Sequence, residues 1–303
     1  MGKKRFGDPQ VSETALPEAA HQFFDFMGRR EQLRIRKEAG EPWPWSGDEI
    51  LNTYKFTNVK REDDRTTRWM REHWTGCHAD RPGGEIIFNC ALFRYFGTVE
   101  FAEAVGWQIT FNPDHIIRVA EGRQREGLRV FTGAYIVPSL SIRRPKHEVV
   151  TRVILAGVWE HRNKLANLAR ETESWRVVTT ALRELPGFGG TGFMAKEVLQ
   201  DLMHTRVMGD AKDKNTWCPA GPGARRGLNR IWNRPIHHAI TEKLAFEEMA
   251  ALFAVAPLHL PSFMPELELH DIQFQLCEFD KYERARRGEG KPKARYHRPM
   301  MGN

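Results

Sequence analysis

Cysteine is scarce in this chain: Cys77, Cys90, Cys218 and Cys277 stand far apart, with no C-x-x-C pair among them. That spacing excludes a disulfide framework and the ordinary zinc and iron–sulfur patterns. His73, Cys77 and His78 are metal-ligating types within six positions, but they read as incidental placement, and no metal site is expected. Long apolar runs are also missing. None reaches the roughly 18 residues a membrane helix needs, and Met1-Gly-Lys-Lys-Arg-Phe6 is a basic start with no apolar region behind it. No signal peptide or membrane partner is expected, and the expected setting is reducing cytoplasm. Strand-like runs are few. Phe131–Val137 is one of them, and it stops at Pro138. The phosphate-loop pattern G-x-x-x-x-G-K-[ST] does not occur, which argues against a kinase in its own right.

What is present suits a soluble helical protein of 303 residues, 41% hydrophobic and 28% charged. Lys and Arg number 46 against 39 Asp and Glu, a net +7, and residues 281–298 hold eight basic side chains against two acidic ones. A basic excess of this kind favours a polyanionic partner through counterion release. The chain divides into a flexible N-terminal tail over 1–20, a helical domain over 21–283 and a basic C-terminal tail over 284–303. Beyond about residue 284 the composition is too basic and too rich in Gly and Pro to pack.

Helical periodicity dominates the domain. A helix is predicted from Ala20 to about Glu38, with Phe23, Phe24, Phe26 and Met27 on its apolar side, broken by Pro42-Trp43-Pro44-Trp45. Ser46-Gly-Asp-Glu49 has the form of a capping box. If Lys55–Met70 is helical, Asn58, Arg61, Arg65 and Arg68 share one face with Asp64 beside them. Such guanidiniums repel unless an anion sits among them, so the face either grips phosphate or is a solvated, salt-bridged helix. Ile86–Phe96 is apolar almost all round and reads as a buried helix, in which Arg94 needs a partner. Thr241 begins a further helix, and Leu267–Tyr282 makes the last one.

Two Gly-rich stretches interrupt the helices. Leu185-Pro-Gly-Phe-Gly189 joins an apolar helix end to a second helix reaching Asp201, and its glycines can leave backbone N–H groups facing an anion. Ala220-Gly-Pro-Gly-Ala-Arg-Arg-Gly-Leu228 has the make-up of a second phosphate cradle, with Gly221 and Gly223 in the loop and Arg225 and Arg226 behind it.

Leu185-Pro-Gly-Phe-Gly189 resembles the hairpin of the helix-hairpin-helix DNA glycosylase superfamily, where an Asp follows at about the distance of Asp210. The lysine that bifunctional glycosylases carry after the hairpin is replaced here by Gly190, Thr191 and Gly192, which disfavours lyase chemistry. The context Met208-Gly-Asp-Ala-Lys212 also departs from that superfamily's V-D-x-H. A narrower resemblance covers most of the chain. Phe56–Asp64, Gly187–Leu202, Ala220–Leu228 and Leu276-Cys-Glu-Phe-Asp-Lys-Tyr282 occur in that order. Together they look like the α-glutamyl/putrescinyl thymine pyrophosphorylase family of bacteriophages and its cousin, the helical domain of 5-hydroxymethyluracil DNA kinases.

The resemblance implies a mainly α, helix-hairpin-helix DNA glycosylase-like fold and a transferase of thymine hypermodification. An amine from an amino acid or polyamine would replace pyrophosphate on a 5-pyrophosphorylated hydroxymethyluracil in DNA. Arg61, Arg65, Arg68 and Lys55 suit the leaving group's charge, and a carboxylate suits deprotonation of the incoming ammonium. Asp201 is the first choice for that carboxylate, because its position near the buried stripe demands either a partner, such as an Arg, or a function. Asp64 and Asp210 follow, with Asn58 and Arg61 as neighbours. Gly187, Gly189, Gly221, Gly223, Arg225, Arg226 and Lys281 are expected to hold the DNA backbone. Glu278 and Asp280 belong either to the site or to a salt-bridged helix. Trp217 and Tyr282 are candidates for base stacking. No cofactor is implied beyond a divalent cation, Mg2+, accompanying pyrophosphate. Two alternatives stand beside the transferase: a monofunctional glycosylase, and a non-catalytic DNA-binding relative of the kinase helical domain.

Overall fold

The structure, a computed structural model, describes residues 16–138 and 140–297. Its α-helices are α1 (Glu18–Glu38), α2 (Glu49–Thr53), α3 (Arg65–Trp69), α4 (Gly83–Phe96), α5 (Val99–Val105), α6 (Pro113–Arg125), α7 (Lys146–Val149), α8 (Ala156–Thr172), α9 (Trp175–Arg183), α10 (Phe193–Leu202), α11 (Pro222–Ile231), α12 (Glu242–His259) and α13 (Leu269–Arg286). The described residues form no sheet; an isolated bridge pairs Tyr54 with Arg295. The mainly helical class is therefore as expected. Most of the N-terminal tail anticipated over 1–20 lies outside the described residues, as do positions 298–303, while α1 begins within that stretch at Glu18.

The chain divides into two compact units. The first contains the described residues of 1–59, 223–266 and 272–303. Its core forms where the apolar stripe of α1 meets α13: Phe23 and Phe26 lie 5.5 and 5.7 Å from Phe279, and Phe26 lies 4.8 Å from Tyr282. Glu18 in the first turn of α1 and Arg36 and Lys37 in the last complement the helix dipole. The cap of α2 is Asp48, whose carboxylate accepts the Ile50 N–H at 2.8 Å, so the start falls two residues after the Ser46 expected from sequence. Gly227 lets α11 run against the backbone of α13 at Leu276, a space that any Cβ would fill. Past residue 284 the backbone stays attached to this unit, while the side chains of Arg286, Arg287, Lys291, Lys293 and Arg295 remain exposed. Helix α13 continues to Arg286, Glu283 binds Arg286 and Arg287 at 2.7 and 2.9 Å, and the Tyr296 N–H donates to the Thr53 carbonyl at 3.0 Å. Paired charges and backbone hydrogen bonds supply what apolar content does not.

The second unit contains residues 60–222, as far as they are described, and 267–271. Helix α4 is its centre, with thirteen of its fourteen residues buried, and α8 and α10 pack against it. A helix apolar on all sides must be enclosed on all sides, and this one is. Helix α7 passes through a π-helical turn (Val150–Leu155) directly into α8. Helix α9 starts at Ser174, where the Asp213 carboxylate accepts the Trp175 and Arg176 N–H groups at 2.6 and 3.0 Å. These bonds satisfy amides a helix start otherwise leaves bare.

Two local expectations are corrected here. Phe131–Val137 is irregular rather than a strand. Its Phe131 ring stacks on Phe96 at 5.1 Å and the Thr132 N–H donates to the Phe96 carbonyl at 2.7 Å, so it seals the end of α4 instead of pairing with a neighbour. The stretch 55–70 is not one helix either. A 3-10 turn (Arg61–Asp63) precedes α3, and Asp64 between them is extended (φ −64°, ψ 131°). Asn58, Arg61, Arg65 and Arg68 therefore do not share a helical face.

Candidate active site

Between α9 and α10 the chain makes the anticipated tight hairpin. Gly187 is left-handed (φ +87°), and a Cβ there would lie 2.6 Å from Ile154 and 2.9 Å from the Tyr95 hydroxyl. Phe188 beside it is fully buried, with its ring 5.2 Å from that of Tyr95. Gly189 has ordinary space around it, and Gly192 (φ +74°) opens α10 with no side-chain cap. Arg183 leans over Gly192 and donates to the Gly190 carbonyl at 2.8 Å. The hairpin thus fixes where α10 enters the unit.

Helix α10 then carries a run of buried charge. Lys196, Glu197 and Asp201 are all within 4% of complete burial. Asp201 is held bidentately by the Arg94 guanidinium of α4, so the arginine and the aspartate that each demanded a partner satisfy one another. Glu197 meets Lys196 at 3.0 Å and Arg61 at 3.3 Å. Arg61 turns to Asp64 at 2.5 Å. Exposure rises along this series. The Arg94 and Asp201 side chains are each 3% exposed, whereas Arg61 and Asp64 reach 11% and 18%. Arg94 and Asp201 act on Arg61 and Glu197 through space, so the charges extend from the centre of the unit toward its surface at Arg61–Asp64.

The electrostatics follow the burial. Desolvation pushes the Glu197 carboxyl up, but Lys196, Arg61 and Arg94 outweigh it and bring the group down to about 2. For Asp201, burial pushes the carboxyl up against the opposing pull of Arg94. Asp271, in the first turn of α13, accepts the Arg61 and Glu268 backbone N–H groups at 2.8 and 2.9 Å. Burial nevertheless lifts it to about 7. His270 beside it is kept neutral by burial and by nearby Lys196. Glu62 receives His204 at 2.7 Å and sits below its usual range, because the hydrogen bond and charge of His204 outweigh burial. Tyr135 donates its hydroxyl to the Arg94 carbonyl, tying the 131–137 segment to the same centre.

Of the residues singled out from sequence, Arg61 and Asp64 are bonded to each other, and Asp201 lies within electrostatic reach of Arg61. Gly187 and Gly189 form the hairpin beside it. Arg65 and Arg68 are exposed on α3, and Asp210 is exposed in the turns after α10, outside the ion-pair series. Gly221 is buried at the end of this unit. Sequence reasoning did not identify Glu197, Lys196 or Asp271 as site residues. Glu197 precedes Asp201 by one helical turn, which was the available signal, but α10 is buried on every side and its apolar stripe discriminates nothing.

Most of the remaining candidates fall in the first unit, where Asp280 gathers a second group of charges. Asp280, fully buried, is bound by Arg226 at 2.8 Å and Arg230 at 2.9 Å, with Arg284 at 3.6 Å. Glu278 takes Lys281 at 2.6 Å and the Thr57 N–H at 3.4 Å. The Asn58 carbonyl accepts from Gln275, Arg225 donates to the Ile240 carbonyl, and Lys55 lies 5.5 Å over the Tyr296 ring. Gly223 faces Cys277, with room for no Cβ. Tyr282 donates to Asp48 at 2.7 Å and packs in the core, and Trp217 in the second unit is 8% exposed. Among the described residues no group of three or more His, Cys, Asp or Glu is arranged to hold a metal ion, and no helix is long and apolar enough to cross a membrane.

These features define an all-helical protein whose buried ion-pair network reaches the surface at one guanidinium–carboxylate pair. The family model described as "5-hmdU DNA kinase, helical domain" matches residues 17–292, and the chain belongs to that family. The 5-hmdU DNA kinase of Bacillus phage SP10 is 26% identical over 245 residues, covering 74% of this chain and 37% of the relative. The chain thus spans little more than a third of that relative's length. No solved structure matches it. Of the resemblances carried by the four motifs, that to the kinase helical domain is the one the match establishes.

Proposed function

We propose that the chain is a DNA-modifying transferase of thymine hypermodification, exchanging the pyrophosphate of a 5-pyrophosphorylated hydroxymethyluracil in DNA for an amine. The observation that carries this reading is the surfacing of the buried network at Arg61 and Asp64. A guanidinium backed by Glu197 is held in place to receive an anionic leaving group, and a carboxylate lies 2.5 Å from it. Membership of the 5-hmdU DNA kinase helical-domain family supports a modified thymine in DNA as the substrate.

In this mechanism the free amine of an amino acid or polyamine attacks the 5-methylene carbon. The C–O bond to pyrophosphate breaks, and the electron pair leaves with the pyrophosphate oxygen. Arg61 meets the growing negative charge, and exposed Arg65 and Arg68 add to the field. Asp64 takes the proton from the ammonium, being the carboxylate of the network with access to solvent. Asp201 has both oxygens on Arg94 and holds the interior end of the series. A Mg2+ ion accompanying the pyrophosphate would shield the leaving group's charge. The hairpin glycines supply backbone N–H groups to DNA phosphate, as the sequence resemblance of Leu185-Pro-Gly-Phe-Gly189 to the glycosylase hairpin implies.

Incubation with DNA containing pyrophosphorylated hydroxymethyluracil, amino acids and polyamines is expected to release pyrophosphate and to yield a heavier nucleoside. Abasic sites instead would indicate a glycosylase, a reading that exposed Asp210 does not favour. DNA binding with neither product would indicate a non-catalytic helical domain. That second reading draws on one observation, the 37% share of the kinase that the chain covers.

A further inference from the structure

Ile136 is 89% exposed, more than any other large apolar side chain described in the chain. Its neighbours are fixed. Val130 and Val137 are buried at 5% and 4%, Phe131 stacks on Phe96, and Tyr135 donates its hydroxyl to the Arg94 carbonyl while its ring meets Phe193 at 5.5 Å. A slack loop would fold an isoleucine inward, since burying one is worth about 1.5–3 kcal/mol. Here the anchors on both sides hold it in water. Leu128, 47% exposed, lies eight positions before it.

The surroundings are cationic. Lys146 sits 5.5 Å over the Phe131 ring, and the Arg129 carbonyl accepts from Arg123 at 3.0 Å. Arg129 and Arg143 are exposed and make no ion pair among the described residues. Arg144 has only a loose contact, 3.8 Å, with Glu148. An apolar tip with the exposed Arg129 and Arg143 seven positions to either side in the chain is poorly matched to a protein groove or an apolar ligand. It is matched to duplex DNA, where aliphatic wedges enter base steps while Arg and Lys hold phosphates on either side.

We propose that the Leu128–Val137 segment, with Arg129, Arg143 and Lys146, is a duplex-DNA contact in which Ile136 enters the base stack. The proposal rests on the reading that the chain acts on DNA. Because Tyr135 is bonded to Arg94, the wedge is tied to the buried network within one unit. A base unstacked by Ile136 would therefore be unstacked by an element that the active-site centre itself holds in place.

The test uses the full chain and a short duplex carrying 5-hydroxymethyluracil beside 2-aminopurine, whose fluorescence rises on unstacking. Wild type is expected to bind with a fluorescence rise. Ile136→Ala is expected to bind within a few-fold of wild type but to lose the rise. The triple variant Arg129→Ala, Arg143→Ala, Lys146→Ala is expected to bind roughly tenfold or more weakly, with a salt dependence shallower by about two to three ion equivalents. All four positions are on the surface, so matching thermal melts will show that the variants are folded. If wild type binds and Ile136→Ala keeps the full rise, the wedge is overturned while DNA action stands. Unchanged affinity and salt slope in the triple variant would likewise overturn the cationic contact alone. No binding of wild type to the duplex removes both this inference and the reading beneath it.

Discussion

Arg94 and Asp201 lie 107 positions apart in the chain, on α4 and α10, and close a bidentate ion pair at the centre of the second unit. Each side chain is 3% exposed, so neither charge has solvent to fall back on. Removing one partner leaves a buried, uncompensated charge, which typically costs about 3–5 kcal/mol. Asp201→Asn is expected to lose stability on that scale in urea unfolding, and Arg94→Met with Asp201→Leu to recover much of it. If Asp201 took part in chemistry without supporting the fold, Asp201→Asn would unfold at the wild-type urea concentration. Where enough of the single variant stays folded, turnover is expected to fall while DNA binding persists.

The hairpin glycines are not equivalent. Gly187→Ala places a methyl group against Ile154 and Tyr95 at a left-handed φ, and should destabilise by a few kcal/mol, on the order of other strained core insertions. Gly189 has a negative φ, with a would-be Cβ 3.5 Å from the Arg183 carbonyl, and Gly189→Ala should fold within about 0.5 kcal/mol of wild type. Thermal melts of the two variants give the comparison, and equal losses would mean that the tight turn is not where the strain lies.

Asp271 gives the fold a pH signature. Its carboxyl is raised by burial from 3.8 to about 7, so it opposes folding increasingly as pH climbs from about 4 to about 7. Glu197 acts in the opposite sense. Lowered from 4.5 to about 2, it contributes stability that is present above its unfolded value and lost as pH falls toward 2. Asp271→Asn is expected to gain ground on wild type between pH 5 and pH 8 in parallel melts. A constant difference across that range would show that Asp271 does not titrate there.

Gln200, 2% exposed on α10 between Glu197 and Asp201, has no hydrogen-bond partner for either end of its amide among the described residues. An unsatisfied buried polar group costs about 1–3 kcal/mol. Gln200→Met keeps the shape and should raise the unfolding midpoint. A drop of similar size would mean that the amide is bonded in solution.

The helices themselves were legible, because periodicity and caps are local. The apolar face of α1, the enclosure of α4, the start of α12 at Thr241 and the glycine demanded at Gly187 all follow from residues within a few turns. The shared face of Asn58, Arg61, Arg65 and Arg68 was not legible, since it presumed an unbroken helix that the extended Asp64 interrupts. Phe131–Val137 looked like a strand because apolar content alone does not say whether a segment pairs or seals a helix end.

By itself the sequence determined that Arg94 and Asp201 each needed a partner, since a lone charge in a helix this apolar costs more than a fold can absorb. Which partner each one found was decided only when α4 and α10 packed together. That packing also left Asp64 as the carboxylate within solvent's reach and engaged both oxygens of Asp201. Pairing across 107 positions depends on the approach of two helices, and no local pattern in either helix encodes the distance between them.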